Sequence, residues 1–464
     1  MCLQPLLRAQ NRTMTKQEKE SYVWFRVYHV INPCLPSIGG TMRLLRKRKT
    51  LCIVLVVLAV FLSLMLSHTI VLDLSGAIRI QDLSPRNVMG HIGYIGVGLT
   101  QPKECKPARN VAFVKTHKAG STTIANILMR YGMANDLNFA LPNTKLHSYG
   151  YNYISRAGEV LTRDFIIPLP AGQEYNILFN HAIYNRTAFR LIMPKNTTYI
   201  TILREPFQQF VSTFEYYRVE KYFAKRGYQI PESENPLSTF LKNPYLYDRS
   251  TALFSYIRNK QSEDLGLNRQ HYKNPNKLKE YIEAMDKDFT LVMILEYFDE
   301  SLLLLKHALC WSIKDILYIT HNVNHKKPKR NFTDSDLANH RKMSHLDYEL
   351  YSHFFRKFWD KLQSQGDDFF KELAHFKSLL HRVNQSCYAR RSFHVKKTKW
   401  HSSFTINKTD CRILMMPELV SLDLLYNRTS QKFNLAPNLN YVVRYGRKNQ
   451  AAQTERLTVN ATGT

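Results

Sequence analysis

The sequence predicts an α/β protein, a parallel sheet flanked by helices and preceded by one membrane-spanning helix. Three observations carry that expectation. Four short apolar runs, Val111 to Val114, Tyr175 to Phe179, Thr198 to Leu203 and Phe289 to Leu295, are each followed by polar residues and then a helical pattern. Strands alternating with helices imply a parallel sheet covered on both faces, with ligands gathering at the strands' carboxyl ends. Asn110 to Asn126, NVAFVKTHKAGSTTIAN, joins the first strand to the first helix through a cationic, hydroxyl-rich turn. Leu51 to Leu72 is a run of 22 residues without Asp, Glu, Lys or Arg. About 20 suffice to span a bilayer.

In chain order, residues 1–50 read as a cytoplasmic tail, 51–72 as the anchor, 73–108 as a Gly- and Pro-punctuated stem and 109–464 as the lumenal domain. Arg43, Arg46, Lys47, Arg48 and Lys49 stand before the anchor and only Asp73 follows it closely, so positive charge sets the N-terminus on the cytoplasmic side. Glycosylation sequons agree: Asn185, Asn196, Asn331, Asn384, Asn407, Asn427 and Asn460 all follow the anchor, against Asn11 before it. Met42 offers an alternative start that makes 1–41 a dispensable extension. Cys105, Cys310, Cys387 and Cys411 are lumenal and form two disulfides in one of three pairings, left open by the sequence. No C-x-x-C or H-x-x-x-H spacing accompanies them, and no metal site is expected.

The formal charge of the chain is +28, and residues 73–464 keep +20 of it. Such a field favours anionic ligands. Nucleic acid is excluded as a partner of a lumenal domain without a nucleic-acid motif; an anionic nucleotide fits better. The turn supplies Lys115, Thr116, Lys118, Ser121, Thr122 and Thr123 where a helix begins, and unpaired N–H groups with the helix dipole favour a phosphate or sulfate there. Gly120 permits close backbone approach. The turn is P-loop-like without being a P-loop: G-x-x-x-x-G-K-[ST] requires a lysine directly before the magnesium-binding hydroxyl, and Lys118 precedes its hydroxyls by three residues. It suits the 5′ end of a nucleotide held without metal.

A second anion site follows in Thr198 to Tyr217, TYITILREPFQQFVSTFEYY. Arg204 ends a strand, Pro206 suits a first helical turn and Ser212 returns to the same face about two turns on. A guanidinium fork and a hydroxyl then converge on one phosphate. His181 follows the strand YNILFN and belongs to the same carboxyl-terminal edge. His117 reads as a turn residue whose ring bonds backbone, Asp299 as a helix cap and Glu296 as a carboxylate that orients an acceptor. Tyr149, Tyr151 and Tyr153 offer sugar-stacking faces, with packing as the default. Pro236 to Leu241, Asn276 to Met285, Glu300 to Trp311 and Asp334 to Gln363 read as helices, and no fold is assigned to 384–464. There is no internal repeat.

FVKTHKAGSTTIANIL resembles the pattern F-[LV]-K-T-H-K-[TA]-x-S-T-x-x-N-I-L of the galactose 3-O-sulfotransferase family, and R-x-P-x-x-x-x-x-S is similar to the 3′-phosphate motif of sulfotransferases. YNILFNH, LVMILEYFDESLLLLKHALCW and MMPELVSLDLLY also look like family segments. The resemblance covers roughly Arg109 to Tyr351; the N-terminal extension and 434–464 have no family counterpart. It implies a sulfotransferase fold and a Golgi type II membrane enzyme. Its reaction moves sulfate from 3′-phosphoadenosine 5′-phosphosulfate (PAPS) to the 3-hydroxyl of a terminal β-galactose. Lys115, Thr116, Lys118, Ser121, Thr122, Thr123, Arg204 and Ser212 would bind the donor. Lys118 would also screen charge on the sulfonate, and His181 would take the acceptor's proton. The expected partners are a β-galactoside glycan and the Golgi membrane, with a second copy of the chain left open. Another carbohydrate acceptor such as a glycosaminoglycan, or an inactive glycan- or nucleotide-binding protein, are the alternative readings.

Overall fold

The computed structural model describes residues 105–143, 152–155, 159–224, 235–244, 256–267, 274–319 and 331–435. The expected tail and anchor, the stem up to 104, Tyr149, Tyr151 and the tail after 435 lie outside the described residues. Among the described residues no helix is long and apolar enough to cross a membrane.

Four parallel strands form the centre in the order β2-β1-β3-β4. β1 (Val111–Val114) leads into α1 (Ser121–Ala134), and β2 (Ile177–Leu178) is followed by α2 (Arg186–Ile192). β3 (Thr198–Leu203) leads into α3 (Pro206–Tyr216), α4 (Val219–Ala224), α5 (Pro236–Lys242), the short α6 (Lys260–Asp264) and α7 (Pro275–Asp288). β4 (Leu291–Ile294) is followed by α8 (Phe298–Leu309), α9 (Asp334–Met343), α10 (His345–Gln363) and α11 (Asp367–Tyr388). A separate antiparallel hairpin, β5 (Phe393–Val395) and β6 (Phe404–Ile406), precedes α12 (Lys408–Leu414) and α13 (Glu418–Phe433). The α/β parallel sheet flanked by helices is as expected, and so are the positions of its strands.

Every residue of β1 and of β4 is buried, as befits a sheet covered on both faces. In register, Val111 pairs with Ile177 on one side and Thr198 on the other, and Ile200 pairs with Leu291. β1 and β3 are therefore adjacent, and the two anion motifs leave neighbouring strands at the same end. The buried face of α3 carries Phe207, Phe210 and Phe214, which pack with Phe223 and Phe240 in one aromatic cluster. Cys105 pairs with Cys310 and Cys387 with Cys411, so the chain entering β1 is tied to the end of α8, and α11 to α12. Trp311 adds a bond from Nε1 to the Ala108 carbonyl, 3.0 Å, and stacks on Tyr131 at 3.7 Å.

Two expectations change. The single helix anticipated over Asp334 to Gln363 breaks at Ser344, which leaves helical geometry (φ −116°, ψ 34°). The cause is tertiary: Asn259 inserts there, donating its N–H to Ser344 Oγ and accepting from the Leu346 and Asp347 N–H groups with its side-chain oxygen. Asp299 is no cap. α8 begins one residue before it, and the Asp299 carboxylate accepts the Tyr318 hydroxyl at 2.9 Å.

Candidate active site

The loop after β1 owes its shape to two left-handed residues, Lys118 (φ 59°) and Gly120 (φ 76°). Only glycine adopts that geometry cheaply, and a Cβ on Gly120 would also meet Leu295 Cδ1 at 2.6 Å. α1 starts on Gly120 without a side-chain cap; the Thr123 N–H returns to the Gly120 carbonyl at 3.1 Å, and the helix N–H groups before it keep their capacity for an anion. Ser121 Oγ donates to the Thr116 carbonyl at 2.7 Å and Thr116 Oγ1 donates to Ile202 O on β3 at 2.5 Å. These two hydroxyls hold the loop's curl, while Thr122 is exposed and Thr123 half-buried at its mouth.

Lys115 is 1 % exposed and forms an ion pair with Glu418 of α13. Burial raises the Glu418 carboxyl and Lys115 outweighs it, so the group is held below its ordinary pKa. Glu418 also accepts Thr122 Oγ1 at 3.1 Å and Asn152 Nδ2 at 3.2 Å. Lys118 is half-buried, with its Nζ 3.5 Å over the ring of exposed Tyr216.

The second motif meets the first directly. Arg204 Nη1 donates to the Lys118 carbonyl at 3.2 Å. Gln261 reads both ends of the Arg204 backbone, its Oε1 accepting the N–H and its Nε2 donating to the carbonyl, each at 2.8 Å. Burial draws the guanidinium below its usual pKa, against the pull of Glu296 and Glu205. Glu205 caps α3 by accepting the N–H groups of Phe207 and Gln208. Glu296 accepts the Glu205 N–H at 2.9 Å and the Tyr351 hydroxyl at 3.1 Å, so it braces this turn. Ser212 is half-buried on α3.

His181 reaches the same edge beyond β2. Its Nδ1 lies 3.2 Å from the Lys115 carbonyl, which can only accept, so Nδ1 carries the proton and Nε2 the lone pair. The ring stacks with that of His117 at 4.1 Å and with that of Tyr153 at 4.8 Å, and those two lie 5.9 Å from each other. Burial first, then the charges of His117, Lys115 and Lys260, hold its proton affinity well below the ordinary histidine value.

His117 differs from the expectation of a backbone-bonded turn residue. Its Nδ1 donates to the Asp264 carboxylate at 2.8 Å, its Nε2 accepts the Tyr153 hydroxyl at 2.8 Å, and its backbone N–H also goes to Asp264 at 2.8 Å. Asp264 pairs at 2.9 Å with fully buried Lys260. Burial raises the Asp264 carboxyl, but His117 and Lys260 prevail and keep it ionised below its usual value. Tyr217 lies 4.4 Å from Tyr256, whose ring meets His117 edge-on at 5.7 Å.

Lys115, Thr116, Lys118, Ser121, Thr122, Thr123, Arg204 and His181 thus gather at one sheet edge. Sequence reasoning passed over Asp264, Gln261 and Asn152, which carry no motif. It noticed Glu418 only as part of a family-like segment.

The α/β sheet thus delivers Lys118, Arg204 and His181 to one edge, an arrangement suited to an anionic ligand. The family model for Galactose-3-O-sulfotransferase matches residues 35–402, and the chain belongs to that family. It is 32 % identical over 291 residues to galactosylceramide sulfotransferase of Homo sapiens, covering 61 % of this chain and 65 % of that protein. It is 31 % identical to galactose-3-O-sulfotransferase 2 of Mus musculus over 56 % of this chain and 64 % of the relative. With galactose-3-O-sulfotransferase 3 of Homo sapiens it shares 33 % identity over 57 % and 62 %. The chain therefore spans somewhat less than two thirds of the length of these curated relatives.

Proposed function

We propose that the chain transfers sulfate from PAPS to the 3-hydroxyl of a terminal β-galactose, as a Golgi type II membrane enzyme with its described domain in the lumen. The observation that carries the proposal is the bond from Arg204 to the Lys118 carbonyl, which joins the turn after β3 to the turn after β1 and supports reading the two as neighbouring phosphate grips. A donor phosphorylated at both positions needs two cationic grips about one nucleoside apart. The names of the relatives support galactose as the acceptor sugar. Exposure of the sequon residues Asn185, Asn196, Asn331, Asn407 and Asn427 supports a lumenal face.

PAPS supplies an activated sulfonate. Transfer forms a bond from the acceptor oxygen to sulfur, breaks the bond from sulfur to the 5′-phosphate oxygen and leaves adenosine 3′,5′-bisphosphate. Arg204 and Ser212 hold the 3′-phosphate. The uncapped start of α1, with Thr122 and Thr123, holds the 5′ end. Lys118 neutralises charge on the sulfonate and on the leaving oxygen. His181, neutral and protonated on Nδ1, takes the hydroxyl proton on Nε2, and an approaching anion raises the proton affinity that burial has lowered. A second reading exchanges the histidines. Asp264 behind His117 makes the carboxylate–imidazole pair that strengthens a base, although the Tyr153 hydroxyl then has to leave Nε2.

The test is transfer of label from PAPS by the full chain to terminal N-acetyllactosamine, galactosylceramide and heparan acceptors. Label on a galactose acceptor is expected. Label on heparan alone would replace the acceptor, and no label on any would leave a binding protein. Loss of turnover in His181→Ala with retention in His117→Ala assigns the base; the reverse pattern assigns it to His117. Unchanged affinity of Arg204→Ala for adenosine 3′,5′-bisphosphate would remove the second motif.

A further inference from the structure

Lys115 and Glu418 stand 303 residues apart, yet Glu418 touches three separate parts of the site. Its carboxylate receives Lys115 Nζ from the exit of β1, Thr122 Oγ1 from the first turn of α1, and Asn152 Nδ2 from the segment that pairs with His181. The same two residues hold His181, one by its ring and one by its backbone. The Lys115 carbonyl accepts His181 Nδ1–H at 3.2 Å, and the Asn152 carbonyl accepts the His181 backbone N–H at 2.9 Å.

We infer that Glu418 is a positioning residue of this site, fixing the donor loop and the His181 edge in one register through Lys115, Thr122 and Asn152. The inference rests on the donor-and-base reading above. A lysine 1 % exposed requires a counter-charge, and Glu418, itself in the favourable first turn of α13, provides it. Lys115 is thereby committed to the shape of the loop, and the charge offered to the donor belongs to Lys118. Two lysines three residues apart divide the labour. Asn152, within a stretch without a motif, is the link that carries the position of Glu418 to His181.

The experiment uses the full chain in detergent, with PAPS and the best acceptor of the panel. Glu418→Gln is expected to lower kcat about 10- to 100-fold through misplacement of the reacting groups. The acceptor KM and the Kd for adenosine 3′,5′-bisphosphate should change less than about threefold, since an interaction realised only in the transition state acts on kcat. Glu418→Asp, which keeps the charge on a shorter stem, should recover part of the loss. A kcat within twofold of the parent would overturn the inference, as would a parallel fall of kcat and nucleotide affinity with no recovery in Glu418→Asp. Should Glu418→Gln fail to fold, Asn152→Ala should show the same split with a smaller loss, and an unchanged kcat there counts equally against it. A parent chain that neither binds the bisphosphate nor transfers label overturns the donor reading itself, whereas an active parent beside an unaffected Glu418→Gln removes Glu418 alone.

Discussion

The loop at 115–123 and the segment at 256–267 meet at His117, and they are made by opposite means. The loop's turn is set by its own residues: Ser121 bonds Thr116, Thr123 N–H bonds Gly120 O, and left-handed residues shape it, while Thr116, Lys115 and Thr122 tie it to β3 and α13. The segment is held from afar. Asp347 accepts the N–H groups of Gln261 and Ser262 and the Ser262 hydroxyl from 85 or 86 residues further along the chain, and Asn259 caps α10 in return. In the proposed reaction the loop bears Lys118, and the segment supplies the carboxylate and amide that hold His117 and Arg204. Residues that meet a substrate are patterned locally because they must share one turn; the groups that set their charge and direction arrive by tertiary contact.

The largest effect that sharpens this contrast belongs to the loop. Lys118→Ala should lower kcat about 10²- to 10³-fold, the cost of removing one preorganised charge stabiliser. Its melting temperature should stay put, because Lys118 is half-buried at the loop surface. Initial rates and a thermal melt check both, and a loss below threefold would break the assignment. Asp264→Asn should act on turnover and fold together. It strips the charge from the acceptor of His117 and leaves buried Lys260 with Glu263 as its carboxylate partner, costing about 3 kcal/mol. A variant as stable as the parent would show that the segment is not the support described here.

A smaller effect appears in the pH dependence of stability. Burial raises the Asp347 carboxyl to about 6, against the bonds from Ser262 and Gln261. The unfolded carboxyl titrates near 3.9. Between those values the folded state holds more protons than the unfolded one, so this group makes stability fall as pH rises from about 4 to about 6. His340, lowered to about 3 by burial, works in the opposite direction over the same range. Asp347→Asn should therefore steepen the gain of stability with rising pH, as read by melts across that window; an identical pH dependence would contradict the raised carboxyl. The smallest effect concerns glycans. Asn384 is half-buried, with Nδ2 donating to Leu380 O and Tyr318 O, so Asn384→Gln should leave gel mobility unchanged while Asn427→Gln, at an exposed site, shifts it.

The sheet was legible because each strand is a short apolar run ended by polar residues. β3 occupies the expected Thr198–Leu203, and β2 is shorter than Tyr175 to Phe179 because pairing with β1 extends only over Ile177 and Leu178. Helices within 236–242, 275–288 and 298–309 were legible from periodicity. The break at Ser344 was not, because its cause is Asn259, 85 residues earlier. The order after 384 was hidden for a similar reason. The hairpin strands have three residues each, and α13 lies against α1, a contact no local pattern announces. In the site, lysines, hydroxyls, Arg204 and His181 were visible as motifs. Asp264 was not, since a lone carboxylate in a polar sequence looks like surface until its partner is seen, and Glu418 stood in the family-like segment MMPELVSLDLLY without an assigned role.

The amino-acid sequence alone determined the strand–turn–helix junction, the order of its two anion motifs and the histidine at a strand end, because each depends on neighbours within a few residues. It also determined that the four cysteines after residue 100 were available to pair. The tertiary structure decided which cysteines joined, that Arg204 reaches the Lys118 carbonyl, and which carboxylates stand behind His117 and Lys115. Those choices depend on burial, which makes an unpaired charge costly and so selects its partner from anywhere in the chain.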